Sequence, residues 1–173
     1  MSDLKKKKIL IVQGSSRSDG NTNKVVQFLR NEIEADLLDL NTKNIGPFDY
    51  EFKNQDDDFL PIIKDIADSY DLIVFATPVY WYSMSGLMKN FFDRISDCLK
   101  IEKPTGRKLR GKSMALLICG SEAAETPGFD IPFKLSAEYL GMNYRGYVHT
   151  WVDEEISDDV KQRVKEFADK LVA

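Results

Sequence analysis

The stretch Lys8-Ile9-Leu10-Ile11-Val12-Gln13-Gly14-Ser15-Ser16-Arg17-Ser18-Asp19-Gly20-Asn21-Thr22-Asn23-Lys24 passes from an apolar strand, through a polar loop bounded by glycines, into a helix. Ile9 to Val12 carry no polar interruption, the pattern of a strand buried on both faces in a parallel sheet. Gly14 ends the strand. From Ser15 to Asn23 nearly every side chain is small, polar or glycine. Backbone N–H groups therefore stay accessible where the next helix presents the positive end of its dipole. An anion fits such a cradle. Ser15, Asn21 and Thr22 add side-chain donors, Asn23 completes the candidate set, and Arg17 adds a forked charge suited to phosphate oxygens.

Two better-known phosphate loops are excluded by spacing. Gly14 and Gly20 enclose five residues and Asn21 stands where a Walker lysine belongs, and there is no G-x-G-x-x-G. A monophosphate is the simplest ligand left. The plain alternative is an ordinary strand-to-helix turn with Asp19 or Asn21 as helix cap.

Working outward, 173 residues with 43% hydrophobic and 30% charged side chains suit a single domain, residues 1–173, with a sizeable core. A net charge of −4 offers no basic face for nucleic acid, and the lysines at 5 to 8 read as a solvated lead into the first strand. The apolar run stops at Gln13, short of a signal-peptide core, and no stretch reaches membrane-span length. Cys98 and Cys119 lack metal-ligand spacing and suit a reducing compartment. The expectation is a cytoplasmic protein without a metal centre.

The rest of the chain alternates helix and strand. Val25, Leu29 and Ile33 predict a helix over Asn21 to Glu34, followed by a short strand over Ala35 to Leu40. Asn41 to Asp58 reads as a long loop, functional or mobile. Asp56 to Asp58 read as the N-cap and first turn of a helix whose core face is Phe59, Ile62, Ile63, Ile66, Ala67 and Tyr70. Leu72 to Ala76 is a third buried strand. It leads into Thr77-Pro78-Val79-Tyr80-Trp81-Tyr82-Ser83, three consecutive aromatics at the carboxyl end of a strand, where open α/β sheets bind ligands. A planar ligand or a partner subunit would cover them. Ser85 caps a helix with Leu87, Met88, Phe91, Phe92 and Ile95 as its apolar arc. A fourth strand, Lys112 to Cys119, precedes a third ligand-side loop at Gly120-Ser121-Glu122. Ile131 to Leu140 then reads as a helix ending at Gly141, Tyr144 to Trp151 as a fifth strand, and the chain closes on a helix from Ser157 or Asp158. Arg107, Lys108 and Arg110 fall at the amino edge, away from chemistry. Five β-α units on this spacing predict an α/β, flavodoxin-like, doubly wound parallel sheet of order 2-1-3-4-5, a three-layer sandwich.

A phosphate cradle, an aromatic platform and a glycine-containing turn at one edge describe a mononucleotide with a flat ring system, and FMN fits. Gly14-Ser15-Ser16-Arg17 with Gly20-Asn21-Thr22, then Thr77 to Ser83 running into Lys89-Asn90-Phe91-Phe92-Asp93-Arg94, resemble the two signature stretches of the NAD(P)H-dependent FMN reductase family. The resemblance implies bound FMN, with Ser15, Arg17, Asn21 and Thr22 at the phosphate. It places Pro78, Val79, Tyr80, Trp81 and Tyr82 along the ribityl chain and ring, and Gly120, Ser121 and Glu122 near the pyrimidine end. The iron–sulphur relatives of that family carry a cysteine cluster in the loop matching Ile45 to Asp58, which here holds no cysteine.

The implied chemistry is hydride transfer from NADH or NADPH to FMN and on to a small-molecule electron acceptor such as a quinone or a flavin. Backbone N–H groups of Gly120 to Glu122 would stabilise charge at the pyrimidine end, and no side chain is nominated as a catalytic acid or base. A flavodoxin-type one-electron carrier is the alternative, disfavoured by the modest acidity. His149 reads as structural and Cys119 as an inert strand thiol. Tyr80 to Tyr82 with Met84 and Met88 imply a homodimer in which one subunit covers part of the other's site.

Overall fold

Five parallel strands, β1 (Ile9–Gln13), β2 (Asp36–Asp39), β3 (Leu72–Pro78), β4 (Ser113–Gly120) and β5 (Asn143–Trp151), form one sheet of order β2-β1-β3-β4-β5. This is the flavodoxin-like order expected from the sequence. The computed structural model describes residues 7–173, so Lys5 and Lys6 of the basic lead lie outside the described residues. Around the sheet lie α1 (Asn21–Glu32), α2 (Phe59–Ser69), α3 (Gly86–Arg94), α4 (Asp97–Lys100), α5 (Lys103–Leu109), α6 (Ile131–Leu140) and α7 (Asp158–Val172).

The apolar strands divide their side chains between two cores. Leu10, Val12, Ile73, Phe75, Met114, Leu116 and Ile118 pack against α2, α3 and α6, whose Phe59, Ile63, Met88, Phe91 and Phe133 fill that side. Their neighbours Ile9, Ile11, Leu72, Val74, Ala115 and Leu117 pack against α1 and α7 through Val25, Leu29, Val160, Val164 and Phe167. Period-two alternation with both faces covered is why no polar residue interrupts these runs.

Some boundaries differ from the sequence reading. α1 ends at Glu32, and Ile33 turns to extended backbone while staying buried. α4 and α5 were not foreseen, because four and seven residues are too few to show a period, and Pro104 and Gly106 read as breakers. The aspartates before α2 do not supply the expected cap and first-turn charge: Asp58 is the N-cap but makes no side-chain bond into the helix, and no acidic residue lies in the first turn. Asp57 accepts the Phe59 N–H at 2.9 Å, but also the Gly46 N–H at 2.8 Å, and Asp58 accepts the Asn44 N–H at 2.7 Å.

Those bonds hold the 41–58 loop, and Arg94 completes the lock. The residue is 1% exposed. The guanidinium donates to Asp97 from Nε (3.0 Å) and Nη2 (2.9 Å), to the carbonyls of Gly46 (3.0 Å) and Asn54 (2.8 Å), and to Asp57. It also lies over the Phe59 ring, 4.8 Å from the centroid. One turn earlier on α3, Asn90 donates to the Ile45 carbonyl at 2.9 Å. The long loop is therefore pinned to α3 by side chains one helical turn apart.

Candidate functional site

The cradle forms where β1 breaks at its carboxyl edge. Gly14 sits so close to α3 that a Cβ there would lie 3.0 Å from the Met88 side chain and 3.2 Å from its amide nitrogen, so a larger residue would push α3 off the start of the loop. Ser85 fixes the other side: its hydroxyl donates to the Gly14 carbonyl and accepts the Met88 N–H at 3.1 Å. The first turn of α1 then points its amides at the cavity without a cap. Gly20 occupies the N-cap with no side chain to offer, no acidic residue stands in the first turn, and the first backbone bond of the helix is Lys24 N–H to the Gly20 carbonyl at 3.1 Å. The amides of Asn21, Thr22 and Asn23 are thus free donors at the positive end of a three-turn helix. By contrast, α7 begins with a Ser157 cap and two aspartates.

A cavity of about 440 Å³ lies over this turn, lined by Ser15, Ser16, Arg17, Gly20, Asn21, Thr22, Pro78, Val79, Tyr80, Cys119, Gly120 and Ser121. It continues into a second of about 260 Å³ lined by Val79, Trp81, Tyr82, Gly120, Ser121, Glu122, Ala124, Thr126 and His149. The second cavity shares Val79, Gly120 and Ser121 with the first. The pair is of the size of small-molecule sites, with a cationic, donor-rich end and an aromatic end.

The aromatic loop is a tight hairpin. Tyr80 and Ser83 exchange two backbone bonds, at 2.9 and 3.1 Å. Between them Trp81 and Tyr82 both take positive φ, 50° and 63°, as a two-residue primed turn demands. Asn-Gly is the ordinary choice there; two bulky rings cost about 1–2 kcal/mol each in this conformation. Yet Trp81 is 93% exposed and Tyr82 76%, so neither gains burial in return. Strain held at a ligand edge without packing gain is the mark of a functional surface. Replacing Trp81-Tyr82 by Asn-Gly is expected to raise the melting temperature of the flavin-free protein by several degrees, measured by calorimetry, while weakening flavin binding.

Tyr80 and Ser16 join the two halves of the site through a 2.8 Å hydroxyl–hydroxyl bond. The third side is held by His149, which is 3% exposed and whose Nε2 lies 3.0 Å from the Glu122 carbonyl. Since a carbonyl only accepts, Nε2 carries the hydrogen in this bond. Gly120 passes directly over the same ring, where a Cβ would lie 2.9 Å from Cε1. The bend of Gly120-Ser121-Glu122 is therefore shaped by the imidazole beneath it.

Most of the sequence-predicted residues line these two cavities. Asn23 does not: its side chain donates to Gln13 at 3.0 Å, leaving only its backbone amide at the cradle. Asn21 spends its side-chain N–H on the Val152 carbonyl at 3.0 Å, which ties α1 to the end of β5. Met84, expected beside the aromatics as part of a subunit contact, is a core residue, 8% exposed; Met88, which also belongs to the apolar arc of α3, is buried as that arc requires, 0% exposed and close against Gly14. Ser16, Cys119 and His149 line the site without having been nominated. For His149 the decisive partner is a backbone carbonyl 27 residues away, which no motif encodes. Burial pushes the Cys119 thiol above its ordinary range against a smaller opposing pull from Thr22 and Thr150, so it stays protonated. Among the described residues no group of His, Cys, Asp and Glu is arranged to hold a metal, and no helix is long and apolar enough to cross a membrane.

Comparison with known proteins agrees with this geometry. The chain is 29% identical over 151 residues to YwqN of Bacillus subtilis (strain 168), provisionally named an NAD(P)H-dependent FMN-containing oxidoreductase, covering 82% of this chain and 83% of that one. Its fold is similar to the Trp repressor binding protein of the same species (TM-score 0.74, 23% identity, 92% of this chain and 97% of that one). It is also similar to general stress protein 14 of Treponema denticola, solved in complex with FMN (TM-score 0.64, 20% identity, 95% of each chain). The sequence model of the NADPH-dependent FMN reductases matches residues 7–153, and the chain belongs to that family.

Proposed function

We propose that this FMN-dependent NAD(P)H oxidoreductase, acting as one domain over its 173 residues, seats the FMN phosphate at the amino end of α1. Pro78 to Tyr80 would hold the ribityl chain, and the Trp81-Tyr82 hairpin and Gly120 to Glu122, which line the adjoining cavity, would hold the ring. The observation that carries this reading is the uncapped first turn of α1, three free amides with no acidic neighbour in the turn, opening on a cavity that Arg17 also lines. Bound FMN supplies the electron chemistry, taking a hydride from a nicotinamide and returning two electrons to an acceptor.

The chain's own residues bind and orient. Ser15, Thr22 and Arg17 complete the phosphate ligands, while backbone N–H groups of the Gly120-Glu122 bend face the pyrimidine end and favour negative charge there. His149 keeps that bend in place through Glu122. Donor and acceptor share the flank beside the exposed Trp81 and Tyr82 and occupy it in turn. The acceptor is a small planar molecule, a quinone or a free flavin. Steady-state kinetics with NADPH or NADH against either acceptor are expected to give parallel double-reciprocal lines, the ping-pong pattern. Intersecting lines would mean that both substrates bind together, contradicting a shared flank.

A further inference from the structure

α5 turns three cations onto one cavity. Lys103 and Arg107, four residues apart on the helix, and Arg110 at its C-cap line a pocket of about 220 Å³, with Leu99, Tyr139 and Leu140 on its apolar wall. All three cations are exposed. Among the described residues none of them enters a hydrogen bond or an ion pair through its side chain, and no carboxylate lines the pocket. The neighbouring acids are engaged elsewhere: Asp97 pairs with Arg94 at 2.9 Å and Glu102 with Lys64 at 3.1 Å. Lys108, the remaining cation of α5, is already matched by Asp68 at 2.6 Å. Like charges four residues apart on a helix repel, and this chain has a net charge of −4. Three cations gathered round one concavity without a counter-charge fit an anion. Two glycines shape the place. At Gly106 a Cβ would run into the Cys98 carbonyl, so α5 lies directly on α4. At Gly141, φ 71°, a Cβ would lie 3.1 Å from Arg110 Cγ and 3.4 Å from its Cζ, so the Arg110 side chain runs along bare backbone at the end of α6. Tyr139, 74% exposed, adds an open aromatic ring to the wall.

We propose that this pocket binds a small organic phosphate, with its charged oxygens among Lys103, Arg107 and Arg110 and its planar or apolar body against Tyr139 and Leu99. Arginine forks take phosphate oxygens two at a time, and lysine adds a point charge. The exposed ring offers a flat apolar surface beside them. A neutral ligand would leave three charges uncompensated, and a bare phosphate would leave Tyr139 uncovered. Position separates this ligand from hydride transfer. The Gly111 amide bonds to the Gly141 carbonyl at 2.8 Å just ahead of β4 and β5, so the pocket sits at the amino edge of the sheet, while the flavin cavities lie at Gly120 on the carboxyl edge. The eight residues of β4 between the two edges span about 25 Å. The ligand is therefore neither donor nor acceptor in the redox reaction, and the proposal does not rest on the flavin reading.

Isothermal titration calorimetry of the FMN-loaded protein with phenyl phosphate tests the site, with inorganic phosphate and phenol as the two halves of the probe. At low salt, phenyl phosphate is expected to bind about tenfold more tightly than either half, and to weaken as salt is raised. Arg107→Gln and Arg110→Gln, both at exposed positions, are each expected to weaken it about tenfold with circular dichroism and flavin content unchanged. Tyr139→Ser is expected to weaken phenyl phosphate about threefold and to leave inorganic phosphate unaffected. Lys100→Gln removes an exposed cation that does not line the pocket and is expected to leave binding unchanged. No binding at millimolar probe, phenol binding as tightly as phenyl phosphate, or indifference to both arginine variants would overturn the proposal. So would equal losses in Lys100→Gln and Arg107→Gln, which would reduce the pocket to general surface charge. Release of FMN by the probe would overturn it too, by placing the probe in the flavin cradle.

Discussion

Arg94→Met is expected to lower the melting temperature of the flavin-free protein by about 10 °C. Methionine fills much of the space but leaves Asp57, Asp97 and two backbone carbonyls without their donor. Breaking a buried ion pair by removing one partner costs about 3–5 kcal/mol, and a chain of this length loses about 2–4 °C per kcal/mol. The 41–58 loop should open first, and hydrogen exchange at the Gly46 amide, bonded to Asp57, should report it. The pH dependence fixes the cause. Burial would raise the Asp57 carboxyl, but the Arg94 bond and the Phe59 and Gly46 amides outweigh it and hold the group below its ordinary value. A depressed carboxyl contributes stability that is fully present above its unfolded value, near pH 4, and is lost as pH falls through the folded one. The gap between native protein and Arg94→Met should therefore narrow below about pH 4. A gap constant down to pH 2 would show that packing, not the ion pair, makes the difference.

Gly20→Asp should weaken FMN binding about 100- to 1,000-fold while slightly stabilising the flavin-free protein. Gly20 sits at the N-cap with extended backbone, φ −77° and ψ −169°, a conformation any residue adopts. An added Cβ lies 3.1 Å from the Arg17 Cβ, so the Arg17 turn must give by a few tenths of an ångström, which offsets part of the capping gain. An aspartate there accepts the free amides and complements the helix dipole, worth about 0.5–1 kcal/mol. The same carboxylate occupies the anion site and repels the phosphate by about 4 kcal/mol at a separation of 4 Å in an effective dielectric of 20. Riboflavin, which has no phosphate, provides the control, and its affinity should change by less than about threefold. Equal losses for FMN and riboflavin would place the damage outside the phosphate cradle. An opposition of stability and binding would account for a helix that starts without a side-chain cap.

How much of this was legible in the sequence depends on the range of the interactions. Ile9 to Val12 and Leu72 to Ala76 declare buried parallel strands because strand burial is local and periodic, and the loop chemistry after each strand then locates the site. Ser85 and Ser157 were readable as caps for the same reason. Arg94 was visible as part of a family-like stretch, yet its role was not. Apart from Asp97, its partners lie at 46, 54 and 57, far back in the chain, and a charged residue on a helix reads as solvent-exposed until the fold closes over it. The aromatic stretch was legible as an exposed segment at the carboxyl end of a strand, but its positive φ values were hidden because nothing in Trp81-Tyr82 predicts a turn that favours Asn-Gly. The orientation of Met84 and of the Asn23 side chain was not legible: residues adjacent in sequence point to different sides of a helix or loop, and only packing decides which.

The central claim is that the cradle, hairpin and bend form one flavin site that accepts electrons from a nicotinamide. Anaerobic stopped-flow absorbance of the FMN-loaded protein mixed with NADPH or NADH tests it most directly. The account predicts bleaching of the flavin band in a single two-electron phase with at least one of the two nucleotides, and a much smaller bound-flavin signal in Gly20→Asp at the same FMN concentration. No bleaching with either nucleotide, together with a long-lived one-electron-reduced flavin on stepwise dithionite addition, would contradict it and make the protein a one-electron carrier.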